Sequence, residues 1–286
     1  MRSLYPLITL SLSIFISSAV TSPQQVPISG AIPFTFRNAT LDDLDDITTV
    51  FLDAFSRAPS WGYVRQFADI YPDYTWNCLR EMFNQTYLNN SEMAPGGFKV
   101  ITVPDQLSYR KEKVVSISIW DFNYLRQASD KSLLSTSLAG LGVIMPSRTA
   151  YNVQPAVEGF DCKAHLDMNI TRARQVEEVM KEAGDKYLLK PYGQQLVLAL
   201  LATHPDWDGN GFAARHIHWG KETLAEINHG PEHLKHRVPL TLIGTPAGYP
   251  LYVSEGFEGV RNITIERLDG KGIIWMEAMK YEQEEN

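Results

Sequence analysis

One stretch of the chain, residues 195 to 229, constrains the fold more than any other. An apolar run from Gln195 to Ala202 ends at Thr203-His204-Pro205 and is followed by a Gly209-Asn210-Gly211 turn. The run has the length and composition of a buried strand. Beyond the turn, residues recur at the spacing of one helical face, at Ala213, Ile217, Gly220, Leu224 and Ile227. The sequence therefore predicts a buried strand that passes through a glycine turn directly into a helix.

The remaining segments predict one mixed α/β domain. Thr40 to Asp43 has the pattern of a helix capping box, and helical spacing follows it to about Ser56. The aromatic-rich segment 57–92 predicts one or two packed helices or, alternatively, a wall of an apolar substrate cleft. An amphipathic helix is predicted from Ile170 to Tyr187, and residues 123–162 show no clear period. The other predicted strands are 33–37, 98–103, 113–120, 239–243, 261–268 and 272–280, with a short helix at 249–255.

Composition limits the classes of partner. The formal net charge of −7 argues against nucleic acid or an anionic membrane, because both are bound through clustered Lys and Arg. The two cysteines, Cys78 and Cys162, are too few for a cysteine-based metal centre. The His229, His233 and His236 group could bind a metal, but we expect a solvated helix end there. The sequence therefore predicts no metal site.

The N-terminus predicts entry into the secretory route. Residues 1–19 combine Arg2, an apolar core and a Ser-x-Ala cleavage pattern, which indicates a signal peptide from Met1 to Ala19. Residues 20–31 then form a linker, and residues 32–286 form the folded domain. After cleavage of the signal peptide we expect no stable membrane span. A cytoplasmic location is the alternative.

N-glycosylation sequons agree with secretion. They lie at Asn38, Asn84, Asn89, Asn169 and Asn262. Thr40 belongs both to the first sequon and to the predicted capping box, and the sequence leaves open which role it has. If the chain is secreted, Cys78 and Cys162 could pair.

The glycine turn has the chemistry of an anion site. The first N–H groups of a helix lack intrahelical acceptors and carry partial positive charge, and glycine lets an anion approach the backbone closely. Asp208 to Ala213 is therefore a candidate pyrophosphate cradle, although a lone Gly-x-Gly can also be a plain tight turn. It is neither a P-loop nor a dinucleotide fingerprint, because the Gly-Lys-Ser/Thr ending and the third glycine are absent.

The order of elements around this turn resembles the GNAT superfamily of acyl-CoA N-acyltransferases, and its fungal branch most. The superfamily has a Gly-x-x-Leu-Tyr-x-x-x-Gly-Phe motif after its fifth strand, and Gly248 to Phe257 matches it fully. Its Gln/Arg-x-x-Gly-x-Gly/Ala motif after the fourth strand corresponds to Asp208 to Ala213. The strand and helix around Arg37 to Asp43 also resemble the family's start. The resemblance covers roughly residues 32 to 281.

The resemblance implies a mixed α/β GNAT fold. Its central, mostly antiparallel seven-stranded sheet is flanked by helices, and its fourth and fifth strands splay apart. It implies acetyl-CoA as the co-substrate, held in the splay, and transfer of an acetyl or short acyl group to a primary amine of a small molecule. Pantetheine would pair with the backbone of Leu201, Ala202 and Thr203. The pyrophosphate would bind the N–H groups of Gly209, Asn210, Gly211, Phe212 and Ala213.

The family also suggests one catalytic residue. Tyr252 matches the frequent general acid, which protonates the departing CoA thiolate. The alternative is that Tyr252 is a buried aromatic residue that packs on Phe257. No motif marks the base that deprotonates the amine. His204 and Asp121 are candidates by position alone, and His204 has a suitable unperturbed pKa.

Two positions depart from the family pattern. Asp208 stands where the family usually has Gln or Arg, and Asn210 where many members have Arg or Lys. Asp208 would either repel a pyrophosphate or turn to solvent and cap the following helix. Arg215, Lys221 or another basic group could compensate for the lost charge. The alternative function is a GNAT-like fold in the secretory route that has lost CoA use, as a small-molecule binding protein or a CoA-independent enzyme. The oligomeric state stays open.

Overall fold

A single mixed sheet organises the chain. The structure is a computed structural model that describes residues 32–93, 96–122, 161–229 and 237–283. The strands are β1 (Thr35–Asn38), β2 (Phe98–Pro104), β3 (Glu112–Asp121), β4 (Leu196–Thr203), β5 (Leu240–Gly244), β6 (Glu258–Glu266) and β7 (Ile273–Tyr281). They form a seven-stranded sheet in the order β1-β2-β3-β4-β5-β7-β6. All neighbours are antiparallel except β4 and β5, so the predicted sheet is confirmed.

The helices lie close to their predicted positions. They are α1 (Leu44–Phe55), α2 (Pro59–Val64), α3 (Pro72–Met93), α4 (Ile170–Ala183), α5 (Lys190–Tyr192), α6 (Phe212–His229) and α7 (Tyr249–Ser254). The predicted cap before α1 is confirmed, because the Asp43 carboxylate accepts from Thr40 N at 2.8 Å and from Thr40 Oγ1 at 2.9 Å. None of the helices within the described ranges has the length and apolar character that crossing a membrane requires.

Alternate side chains of β3 place helices on opposite faces of the sheet. Ile117 and Ile119 are fully buried in the cluster that contains the apolar face of α1. Ser118 and Trp120 point the other way and meet α6, where the Ser118 hydroxyl lies 2.7 Å from His216 Nδ1. This alternation follows from the two-residue period of a strand. The strand that follows β3 in the sheet, β4, is therefore enclosed on both faces.

The predicted splay of β4 and β5 is also present. The two strands pair only at Leu196–Leu240, Val197–Thr241 and Leu198–Leu242. On its other side, β4 pairs with β3 as far as Thr203, with a register shift that leaves Ala199 as an extra residue. A bulge of this kind bends a strand and increases its twist. Beyond Leu198, β4 consequently has no neighbour on the side of β5 among the described residues.

The segment before α4 is tied to α2 and α3 by several kinds of contact. Cys78 and Cys162 form a disulfide with Cα atoms 5.4 Å apart, as the sequence allowed. Arg65 and Asp167 form a buried ion pair. Asn169 N donates to Val64 O at 2.8 Å, just before α4 begins. These contacts join residues far apart in the chain into one packed unit.

Some boundaries differ from prediction, and some predictions fall outside the described residues. β6 begins at Glu258, three residues before its predicted start at 261, because Gly259 weakened the strand pattern. The predicted helix 170–187 ends as an α-helix at Ala183 and continues as a π-helical turn, Gly184–Leu189. The signal peptide 1–19, the linker through residue 31, the segment 123–160, His233 and His236 lie outside the described ranges.

Candidate functional site

Both glycines of the turn after β4 have backbone conformations that other residues avoid. Gly209 has φ +79° and Gly211 has φ +77°. This left-handed region costs a residue with a Cβ roughly 1–2 kcal/mol. A Cβ built on either glycine would meet no heavy atom within 4 Å. The turn therefore requires glycine for its shape, while the space in front of it is open.

The backbone N–H groups of residues 209 to 214 have no hydrogen-bond acceptor among the described residues. The first bond into α6 runs from Arg215 N to Gly211 O at 3.0 Å. Phe212 is buried and packs on Trp207 and Phe34, with ring centroids 6.2 Å and 5.4 Å away, which fixes the start of the helix. A run of unpaired N–H groups at a helix N-terminus is the chemistry of an anion site. The predicted donors Gly209, Asn210, Gly211, Phe212 and Ala213 all lie in this run.

The free edge of β4 leads into this turn. His204 N donates to Val115 O at 2.9 Å, so the even-numbered residues at this end of β4 direct their backbone groups to β3. Because backbone direction alternates along a strand, Leu201 and Thr203 direct their N–H and C=O groups to the open side. Ala202, which the sequence analysis placed in the same set, faces β3 instead, and its carbonyl also accepts from Ser116 Oγ at 3.0 Å.

The charges near the turn are mixed. Asp208 is exposed, and no hydrogen bond or ion pair of its carboxylate is found in the described ranges. The predicted helix cap is wrong, because α6 begins four residues later at Phe212, while the repulsion of a pyrophosphate by Asp208 stays a prediction. Asn210 Nδ2 folds back to Trp207 O at 3.0 Å.

The two predicted compensating cations are already paired. Arg215 lies 3.3 Å from Glu222, and Lys221 lies 2.8 Å from Glu255. Lys113 is different, because its Nζ lies 5.5 Å from the centroid of the Trp207 ring and no carboxylate partner is found for it among the described residues. No sequence pattern marks Lys113, because it lies in β3, about a hundred residues before the turn.

The motif from Gly248 to Phe257 builds a close-fitting site for the Tyr252 ring. A Cβ on Gly248 would lie 2.8 Å from Tyr252 Cε2, and one on Gly244 would lie 3.0 Å from Tyr252 Cδ2. Phe257 packs edge-on against the ring at 5.8 Å between centroids. Tyr252 therefore does pack on Phe257, as the structural alternative predicted, and it lies against the end of β5 where the splay opens.

The Tyr252 hydroxyl is a buried group that keeps its proton at neutral pH. Burial raises the pKa of Tyr252 well above its usual value of 10, so the hydroxyl keeps its proton at neutral pH. No hydrogen bond of this hydroxyl is found within the described part of the chain. A proton donor whose hydrogen is not already committed is available to a ligand. The packing role and the proposed catalytic role are therefore compatible.

His204 is held by contacts on both ring nitrogens. Its Nδ1 accepts from Asp206 N at 3.2 Å, and its Nε2 lies 3.0 Å from Asp53 Oδ2 in α1. With Nδ1 accepting and Nε2 donating, the ring has no lone pair left to take a proton from an amine. The sequence placed His204 correctly at the end of β4 but gave no signal for Asp53, which lies on a distant helix. Asp121, the other candidate base, ends β3 and is buried.

Metal-ligating side chains are not grouped in the described part of the chain. No set of three or more His, Cys, Asp or Glu residues with suitable geometry occurs there. The candidate site consists of the glycine turn, the free edge of β4 and Tyr252.

Solved structures with a similar fold include N-acetyltransferases. A mosquito arylalkylamine N-acetyltransferase-like protein, 5b, superimposes with a TM-score of 0.51 at 10% identity, over 87% of this chain and 99% of its own. The chain has the GNAT fold. Arylalkylamine N-acetyltransferase 2 from Aedes aegypti gives a TM-score of 0.49 at 9% identity, over 87% of this chain and 98% of its own. The Drosophila melanogaster polyamine N-acetyltransferase gives a TM-score of 0.48 at 10% identity, over 88% of this chain and 100% of its own.

Sequence comparison adds nothing to this fold assignment. No protein-family model matches the chain, and no curated protein sequence matches it. Assignment to the fungal branch of the GNAT superfamily stays a prediction.

Proposed function

We propose that the protein is an acyl-CoA-dependent N-acyltransferase that acts on a primary amine of a small molecule. The observation that carries this proposal is the run of unpaired N–H groups at residues 209 to 214, placed where the free edge of β4 ends. An elongated ligand with a diphosphate at one end and amide groups along its length fits both features. Acetyl-CoA has this constitution.

Each part of the site has a distinct task in this proposal. The N–H groups of the glycine turn bind the diphosphate, and the open backbone groups of Leu201 and Thr203 pair with the pantetheine amides. Acetyl-CoA supplies the thioester that the amine attacks. Tyr252 donates a proton to the sulfur that leaves. A thiol has a pKa near 8.5, so this donor contributes modestly, and alignment of the two bound reactants supplies much of the rate.

The acceptor is proposed to be a small amine with apolar or aromatic character. Support comes from the exposed Phe67 and Tyr71 of the aromatic segment, whereas its buried rings, such as Trp61 and Phe83, pack in the core as packed helices were predicted to do. The mosquito protein is also named for arylalkylamines. Because both ring nitrogens of His204 are engaged, we propose that the amine loses its proton to water or enters already neutral.

The protein is proposed to act in the secretory route or outside the cell. The predicted signal peptide and the sequons support this location, and so does the disulfide between Cys78 and Cys162, since disulfides persist in oxidising compartments. The proposed partners are the small amine and acetyl-CoA, with no nucleic acid.

Steady-state kinetics with a matched pair of tyrosine variants tests the proposed activity. The chain lacking residues 1–19 is assayed for release of CoA thiol with acetyl-CoA and a panel of arylalkylamines, polyamines and a histone peptide. Tyr252→Phe should lower kcat about tenfold with KM little changed, because a proton donor is lost. Tyr249→Phe, in the same helix, should leave kcat unchanged. Absence of turnover with every amine contradicts the activity, and exclusive turnover of polyamines or peptide contradicts the acceptor class.

A second function is favoured by the charges at the turn. Asp208 is exposed there while Arg215 and Lys221 are both engaged with carboxylates, so little positive charge is left for a diphosphate. This arrangement fits a GNAT-like binding protein, or an enzyme that does not use CoA, in the secretory route. Binding of a small molecule without any binding of acetyl-CoA would favour this alternative.

A further inference from the structure

The two edges of the sheet share one feature of sequence. The edge strands are β1 and β6. Asn38-Ala39-Thr40 begins at the last residue of β1, and Asn262-Ile263-Thr264 lies within β6. The outer side of each strand has no neighbour among the described residues, and an unpaired strand edge can pair with another chain. Each edge therefore carries an N-glycosylation sequon at the place where a bulky group would block such pairing.

In β6 the sequon lies on the exposed side of the strand. Ile263 and Ile265 are buried in the cluster beneath α4, whereas Asn262 and Thr264 are exposed. Asn262 Nδ2 donates to Glu277 Oε2 at 3.0 Å. A glycan on Nδ2 replaces one of its two hydrogens, so the remaining hydrogen can keep this bond. Modification of Asn262 thus requires no change in the core.

In β1 the sequon and the local fold use different atoms. Asn38 is exposed, and its Oδ1 accepts from Lys99 Nζ at 2.5 Å, which leaves Nδ2 for a sugar. The Thr40 hydroxyl bonds Asp43 in the folded chain. Sugar transfer precedes folding, because it takes place as the chain enters the secretory route. Thr40 can therefore serve the sequon first and the cap afterwards.

Two other sequons lie in different surroundings. Asn84 is half-buried in α3, next to the fully buried Phe83. Asn169 is half-buried and caps α4, with its Oδ1 accepting from Arg172 N at 3.2 Å. A glycan attached before folding must still extend into solvent in the folded chain, which is harder at these two half-buried positions than at the exposed edge sites. Neither lies at an edge of the sheet.

We infer that Asn38 and Asn262 are N-glycosylated and that the two glycans shield the edge strands from pairing with other copies of the chain. The inference rests on the proposed secretory route and is independent of acyl transfer. The sugar donor is a lipid-linked oligosaccharide diphosphate. A bond forms between asparagine Nδ2 and C1 of the first sugar, the bond between C1 and the phosphate oxygen breaks, and the displaced amide proton neutralises the departing diphosphate.

Site occupancy is measured on the full chain, residues 1–286, expressed in a eukaryotic secretory host with its own N-terminus. Peptide N-glycosidase in H₂¹⁸O converts each occupied asparagine to ¹⁸O-labelled aspartate, which peptide mass spectrometry locates. Label is expected at Asn38 and Asn262. Asn38→Gln and Asn262→Gln should each remove one glycan from the intact mass, whereas Asn84→Gln and Asn169→Gln should not change it. Thr40→Ser and Thr264→Ser keep the sequon and should retain the glycan.

The shielding role is tested by association in solution. The double variant Asn38→Gln/Asn262→Gln should aggregate several times faster than the wild type at equal concentration, by light scattering, with its melting temperature unchanged. Asn169→Gln should leave the glycan mass unchanged. It should lower the melting temperature, because a helix cap is lost. Label at Asn84 or Asn169 in place of the edge sites overturns the inference, and so does an unlabelled chain that retains residues 1–19. Unchanged aggregation of the double variant overturns the shielding role.

Discussion

The turn that leads into α6 and the middle of α6 use glycine for opposite purposes. At the start, Gly209 and Gly211 have positive φ and a Cβ on either would meet nothing within 4 Å. In the middle, a Cβ on Gly220 would lie 2.1 Å from Trp120 Cη2. The first pair keeps space open in front of the backbone, whereas Gly220 lets the helix pack directly on β3. The comparison teaches that the surroundings of a glycine, and not its presence, separate a ligand site from a packing site.

The polar groups in the middle of α6 also differ from those of the turn that leads into it. His216 is fully buried in the middle of α6 and hydrogen-bonded to Ser118, which in turn accepts from Trp120 Nε1 at 2.8 Å. Asp208 is exposed at the turn and has no partner in the described ranges. His216 is thus bonded within the protein through Nδ1, while its buried Nε2 has no hydrogen-bond partner among the described residues. The N–H groups of the turn are left for something else to satisfy.

The largest expected effect comes from filling the packed position. Gly220→Ala should lower the free energy of unfolding by about 3 kcal/mol, because Trp120 is enclosed and cannot move aside. Gly62→Ala in α2 is the matched control, since a Cβ there meets nothing within 4 Å, and it should raise stability by about 0.5–1 kcal/mol. Urea denaturation measures both. Equal effects of the two substitutions would contradict the assignment of Gly220 to packing.

Acid should destabilise the protein through the middle of α6. Burial lowers the pKa of His216 to about 3, whereas the unfolded chain has a pKa near 6.5. The unfolded state then binds the proton first, so the His216 contribution is complete above pH 6.5 and falls between pH 6.5 and 3. The expected slope approaches about 1.4 kcal/mol per pH unit from this group. His216→Gln should be less stable at pH 7 but should lose this part of the slope, and an unchanged slope would contradict the account.

A smaller change is expected from filling the open position. Gly211→Ala should cost about 1 kcal/mol of stability through its positive φ, and it should weaken acetyl-CoA binding about tenfold by disturbing the N–H run. Gly270 in the β6–β7 hairpin has φ +69° and open space around it, so Gly270→Ala should cost similar stability without any effect on binding. Equilibrium unfolding and ligand titration separate the two effects. Equal binding by both variants would remove the glycine turn from the site.

The smallest effect concerns the charge at the turn. Asp208→Gln should tighten acetyl-CoA binding by about threefold to tenfold, and less at high salt, because a solvated carboxylate near a diphosphate repels it. Asp206→Asn removes the same charge two residues away and should have a smaller effect. Titrations at low and high salt measure this. Unchanged or weaker binding after Asp208→Gln would contradict the repulsion.

The sequence predicted most of the fold and part of the site, and the division has physical reasons. Strand and helix periodicity is local, so β2, β3, β4 and α6 could be placed within one or two residues. The Gly-x-x-Leu-Tyr motif located Tyr252, but its fit between Gly244 and Gly248 depends on how α7 packs on β5. Contacts between distant segments left no sequence signal.

His204 shows this limit most clearly. Its position at the end of β4 was predictable from the apolar run, but the Asp53 that engages it lies about 150 residues earlier on α1. Ala202 illustrates a second limit, since one residue of register decides whether a backbone group faces β3 or the open side. The bulge at Ala199 sets that register, and no residue type marks it.

Calorimetric titration of acetyl-CoA into the chain lacking residues 1–19 tests the central claim most directly. The account predicts binding with a Kd in the micromolar range, since the open N–H run at residues 209 to 214 and the free edge of β4 fit the ligand. Absence of binding at millimolar acetyl-CoA would contradict the account. The open turn would then belong to another ligand.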